Sequence, residues 1–126
     1  MGRQDIFRQI ALALPAAYED LHRKRPAFRL EKRIFAMLGV TGNPALFPAL
    51  GDEEVAVVKL GRDDQLNLTA VFEGAVEPTE AYGHHGWTYL RLGALDEAAL
   101  SLILRLAWAH VAPKRLVAAH AAQRQS

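Results

Sequence analysis

The sequence predicts one domain that mixes three helices with about five short strands. Three observations lead there. The chain has 126 residues, close to the commonest size of a single domain. Apolar residues recur at helical spacing near both ends and once between them. The rest of the chain carries strand-length apolar or alternating runs bounded by turn residues. With 51% hydrophobic and 23% charged residues, the composition can bury a core and excludes disorder and fibrous repeats.

The first helix rests on Phe7, Ile10, Ala11 and Leu14, which follow the i, i+3, i+4, i+7 spacing of one apolar face. Asp5 suits the positive end of its dipole. Pro15 stops it, because the residue before a proline avoids the α region. Residues 19–24 are expected to form a charged edge strand. In Ala27–Leu30, Phe28 and Leu30 share one face and Ala27 and Arg29 the other. Glu31 and Lys32 make a tight polar turn. Ile34–Leu38 is continuously apolar, as in a strand buried on both sides. Residues 39–53 read as a loop punctuated by glycine and proline, and the loop contains an apolar patch, ALFPAL (45–50).

Val55–Leu60 reads as a strand with Val55 and Val57 opposite Ala56, Val58 and Leu60. Arg62–Glu73 reads as a helix with Leu66 and Ala70 and with Phe72 or Glu73 at its end, and it is expected to stop at Gly74. Residues 75–85 read as irregular. Gly86 opens a strand, Trp87–Leu92, with Trp87, Tyr89 and Arg91 on one face and Thr88, Leu90 and Leu92 on the other. The last helix starts at Asp96 and Glu97, and Lys114 and Arg115 follow its end. Leu95, Ala99, Leu102, Leu106 and Ala109 form a stripe that Leu100, Ile103, Leu104 and Trp108 widen. Such a helix is central to the core or shared with a second subunit, so a monomer or a homodimer is expected. The domain is expected to span 1–116, with a frayed tail over 117–126.

Several functions are excluded by composition. The chain has no cysteine, so disulfides, thiolate metal sites and thiol chemistry are absent. The longest apolar runs are too short for a membrane span. The polar, helical N-terminus does not resemble a signal peptide, and a cytoplasmic location is expected. Ser101, inside an apolar helix, and Ser126, at the C-terminus, lack the setting of a nucleophile elbow. Asp63–Asp64 and Asp96–Glu97 stand at helix starts, where capping accounts for them. His84 and His85 read as an extended pair pointing opposite ways, a poor geometry for one ion. His22 and His110 are isolated and read as structural. No enzyme activity, metal or cofactor is expected.

Charge is the informative feature. Net charge is +1, less than a dedicated nucleic-acid binder usually carries. Yet Arg23, Lys24, Arg25, Arg29, Lys32 and Arg33 cluster on predicted strands and turns, opposed there only by Glu31. Cations on a β-ribbon suit phosphate oxygens, and charge on an edge strand also blocks aggregation. Trp87, Tyr89 and Arg91 form a face that stacks on bases, grips a peptide or packs under a helix.

Five segments in order resemble the MmcQ/YjbR-like family: RPAFRL (Arg25–Leu30), Arg33-Ile34-Phe35-Ala36, VVKL (Val57–Leu60), Gly86-Trp87 and APKRL (Ala112–Leu116). The resemblance runs from the first helix to about Leu116. It implies an α+β domain of the secretion-chaperone-like type, with helices on one face of an antiparallel sheet. Members are often described as DNA-binding through a proposed double-wing motif, and no enzymatic activity is implied. Two features depart from the family. Asp20–Lys24 lacks the aromatic-glycine character common before the PAF segment, and ALFPAL resembles an insertion between strands.

The leading expectation is weak, sequence-independent binding of duplex DNA through Arg23, Lys24, Arg25, Arg29, Lys32 and Arg33. Lys59, Arg91, Lys114 and Arg115 are expected to extend that surface. The alternative is a protein-interaction module with a protein partner at the 45–50 loop or an exposed sheet.

Overall fold

A computed structural model describes residues 3–39, 55–79 and 82–125 of the chain. The elements are α1 (Arg3–Ala13), β1 (Tyr18–His22), β2 (Arg25–Leu30), β3 (Arg33–Leu38), β4 (Val55–Lys59), α2 (Arg62–Val71), β5 (Val76–Pro78), β6 (Trp87–Arg91), α3 (Glu97–Val111) and α4 (Lys114–Gln125). The strands form one sheet in the order β1-β2-β3-β4-β6-β5. Every neighbouring pair is antiparallel. The architecture is the α+β class that the sequence predicts, with a strand and a helix beyond the pattern. The loop expected over 39–53, with its apolar 45–50 patch, lies almost wholly outside the described residues.

The N-terminal strands form a meander with two-residue connections. His22 pairs with Arg25 across one turn and Leu30 with Arg33 across the other. Arg23 and Lys24 have φ of 52° and 68°, and Glu31 and Lys32 have 49° and 71°. Positive φ at both central residues is what the right-handed twist of a tight hairpin demands. Between Phe28 and Arg29 the register with β3 slips. That slip lets the neighbours Phe35 and Ala36 both join the main core. The run over Ile34–Leu38 is therefore not evenly buried on two sides, and Ile34 and Met37 are only half-buried.

The C-terminal half is a split β-α-β unit. Because β4 and β5 each pair antiparallel with β6, they run parallel to one another. Helix α2 carries the chain from β4 to β5. Strand β5 falls within the stretch read from sequence as irregular. Three residues are too few for alternation to show, and only the ladder to β6 (Val76 opposite Leu90) defines them.

The core lies between the sheet and the helices. Phe7 and Ala11 of α1 share one buried cluster with Phe28, Leu30, Ala36, Val58 and Leu90, and the Phe7 and Phe28 rings meet edge-on at 5.8 Å. Asp96 caps α3 by accepting from the Ala99 N–H at 2.8 Å. That helix buries Ala99, Leu100, Ile103, Leu104, Ala107 and Trp108. Leu102, Leu106 and Ala109 only flank the buried stripe. The Trp108 indole donates to the Pro15 carbonyl at 2.9 Å, tying α3 to the end of α1. In α2 the buried residues are Gln65 and Leu68, whereas Leu66 is 60% exposed. The helix turns a polar residue inward because buried acceptors await it.

Helix α4 replaces much of the frayed tail expected over 117–126. Leu116 and Val117 pack on the core, and the His120 ring meets Trp108 edge-on at 5.2 Å. On the opposite face of the sheet, Val55, Val57 and Tyr89 form a small buried cluster with Trp87 against it. No helix of the described residues is long and apolar enough to cross a membrane.

Candidate functional site

The basic cluster that is continuous in sequence is divided in space. Strand β2 spans Arg25–Leu30, roughly 20 Å at about 3.4 Å per residue. The β1–β2 turn stands at one end of it and the β2–β3 turn at the other. Arg23 and Lys24 are exposed at the first turn and Lys32 and Arg33 at the second. Arg91 pairs with Val55 at the first end, and Lys59 pairs with Trp87 at the second. The ten predicted cations therefore do not form one patch.

Some of them are already engaged. Arg29 donates to Asp20 at 2.8 Å and to the Lys32 carbonyl at 2.9 Å, bracing the β2–β3 turn. Arg115 reaches Glu31 at 3.1 Å, which brings the start of α4, with exposed Lys114 beside it, to that turn. Arg25 also has a bonding partner. Among the described residues, Arg23, Lys24, Lys32, Arg33 and Lys114 make no ion pair.

At the second end lies a groove of about 360 Å³ lined by Arg33, Ile34, Lys59, Trp87, His110 and Val111. The register explains this convergence. Arg33 opens β3, Lys59 closes β4, Trp87 opens β6, and His110 and Val111 form the last turn of α3. The Lys59 ammonium stands 5.2 Å from the Trp87 ring centroid, a cation–π contact. Trp87 itself is half-buried. His110 leans along Gly61, whose Cβ, if it had one, would lie 3.5 Å from Nδ1. Tyr89 is 3% exposed and Arg91 lies at the far end, so the Trp87-Tyr89-Arg91 face does not act as a unit.

A buried polar network fixes the Trp87 strand. The Gln65 amide donates to the Gly83 carbonyl and the Thr88 hydroxyl, both at 3.0 Å. Its oxygen accepts from Arg62 at 2.7 Å, and Arg62 also reaches the Gly83 carbonyl at 2.8 Å. At Gly86, φ is +96° and a Cβ would stand 2.0 Å from the Leu60 carbonyl oxygen. Only glycine lets β6 close on the end of β4 there.

Sequence reasoning singled out Arg33, Lys59 and Trp87, but separately. It read His110 as isolated, and nothing in the spacing of a helix's last turn announces a groove. His84 and His85 sit in a 3₁₀ turn, not an extended segment, with ring centroids 3.9 Å apart. No group of three or more metal-ligating side chains gathers among the described residues. Ser101 is half-buried within α3.

These features define a single α+β unit with a cationic, aromatic-walled groove at one end of its sheet. The chain belongs to the YjbR family, whose model matches residues 12–110. It is also similar to the crystal structure of a Deinococcus radiodurans protein, DR2400, with the family domain DUF419. The TM-score is 0.70 at 18% identity, over 90% of this chain and 81% of that one. At that identity the likeness shows the fold alone. Among curated proteins, no match is found.

Proposed function

We propose that this protein binds nucleic acid weakly and without sequence preference, through phosphate contacts at the groove end of the sheet. The observation that carries the reading is the convergence of Arg33 and Lys59 on one groove, with Lys32 and Lys114 exposed nearby. Long cationic side chains of this kind neutralise phosphates and release counterions, and they carry little base information. The proposed role is binding without catalysis; among the described residues, Ser101 lies half-buried within α3. A protein-interaction reading draws on the edge strand β1, where Leu21 is 69% exposed, but Glu19 and Asp20 beside it discourage strand addition.

Titration of duplex DNA at several salt concentrations tests the proposal. Affinity is expected on the order of micromolar or weaker at physiological salt. The log-log salt slope is expected between about −2 and −5, matching the few phosphates so small a surface reaches. K32A/R33A should flatten that slope by about one per lost contact, whereas R23A/K24A at the opposite end should change it less. Failure of the wild-type protein to retain duplex DNA at low salt and high concentration ends the reading.

A further inference from the structure

The groove has chemistry beyond that of a phosphate clamp. Its walls combine two cations, an indole, an imidazole and two aliphatic side chains, Ile34 and Val111. A surface that only tracks a phosphate backbone has no use for Trp87 and the two aliphatics. At about 360 Å³ the space falls in the lower part of the range for small-molecule sites, about 300–1,000 Å³. A duplex keeps its bases stacked inside and lays only phosphates across such a mouth. One unstacked ring with its attached phosphate fits within it.

The charges favour the same ligand. Arg33 is exposed and has no ion pair among the described residues, in contrast to Arg29, which Asp20 holds at 2.8 Å. The Lys59 ammonium lies over the indole, 5.2 Å from its centroid, so a base that stacks there displaces it along its flexible stem toward the phosphate. Base–aromatic stacking is tolerant of sequence, since every base has a π-face.

We infer that the groove seats one unpaired nucleotide unit, its base against Trp87 and its phosphate against Arg33 and Lys59. The inference rests on the nucleic-acid reading above and names the unit that the site accepts. The unit has two possible sources, a single strand or a free nucleotide.

The test compares a labelled single strand of about ten thymidine nucleotides with a duplex of the same length, by anisotropy, for the wild-type chain, W87L and R33Q. A separate titration follows tryptophan emission with adenosine 5′-monophosphate and with inorganic phosphate. Trp108 is 1% exposed and lies outside the groove, so saturable changes report Trp87. The single strand is expected to bind about 10-fold tighter than the duplex. W87L should abolish that preference, and R33Q should weaken the single strand about 5-fold or more. R33Q alters an exposed residue, and should W87L fold poorly, the wild-type preference for strand over duplex, with its loss or persistence in R33Q, decides the matter. If neither polymer binds but the mononucleotide saturably quenches Trp87 and R33Q weakens that, the free nucleotide is the ligand and only the polymer reading falls. If strand and duplex bind alike, with or without Trp87, the inference is wrong while the phosphate reading stands. Equal quenching by inorganic phosphate, or no response to strand and mononucleotide, also overturns it.

Discussion

Gly86 shows how a single missing side chain decides a local fold. Its N–H and carbonyl hold the turn that leads into β6, and Leu60 donates to its carbonyl at 2.9 Å. G86A is expected to cost at least about 2 kcal/mol, because φ and space are both unsuitable. G93A, where a Cβ meets nothing within 4 Å, should stay within about 0.5 kcal/mol. Urea denaturation of both variants checks the contrast. The hairpin turns present the reverse case, with side chains where glycine is preferred. Each left-handed non-glycine residue costs roughly 1–2 kcal/mol, part of which glycine would lose again as unfolded-chain entropy. Replacing Arg23-Lys24 by Asn-Gly should therefore raise stability by about 0.5–1 kcal/mol. An unchanged or lowered denaturation midpoint would refute the strain.

At the scale of elements, the helices test how burial is distributed. L104A removes a fully buried side chain and should cost about 2–5 kcal/mol. L106A, on the flank of the same helix, should cost less than about 2. Equal losses would mean that the flank is as buried as the centre. H120A should cost about 0.5–1.5 kcal/mol through the ring contact with Trp108, whereas a frayed tail would give none. The elements legible in the sequence were those with strong local patterning: α1, α3, the alternation in β4 and β6, and the Glu31–Lys32 turn; Arg23 and Lys24, expected within an edge strand over 19–24, instead form the β1–β2 turn. Those that escaped it depend on partners distant in the chain. β5 exists because β6 offers it a ladder, and α4 because Trp108 and the core receive it. Gln65 is turned inward by Thr88 and by the Gly83 carbonyl, which no helical pattern encodes. The site divides in the same way. Arg33, Lys59 and Trp87 stood out as residue types, but their meeting with His110 follows from strand order alone.

For the whole molecule, the division of charge matters more than its sum. A net charge of +1 conceals two separated cationic ends. Affinity for polyanions should therefore respond to where a cation is removed as well as to how many are lost. The sheet order has a further consequence, and it is kinetic. The β1–β2–β3 meander closes through two-residue turns and forms from contacts close in sequence. Strand β6 must enter between β4 and β5 after the chain has passed through α2, so that half requires a long loop to close before its ladder stabilises anything. The groove is completed only when that late strand docks and brings Trp87 beside Lys59. Its assembly is thus expected to coincide with the strand pairing of longest sequence separation in the sheet, and a chain caught before that step would expose its hairpin cations without yet having a groove.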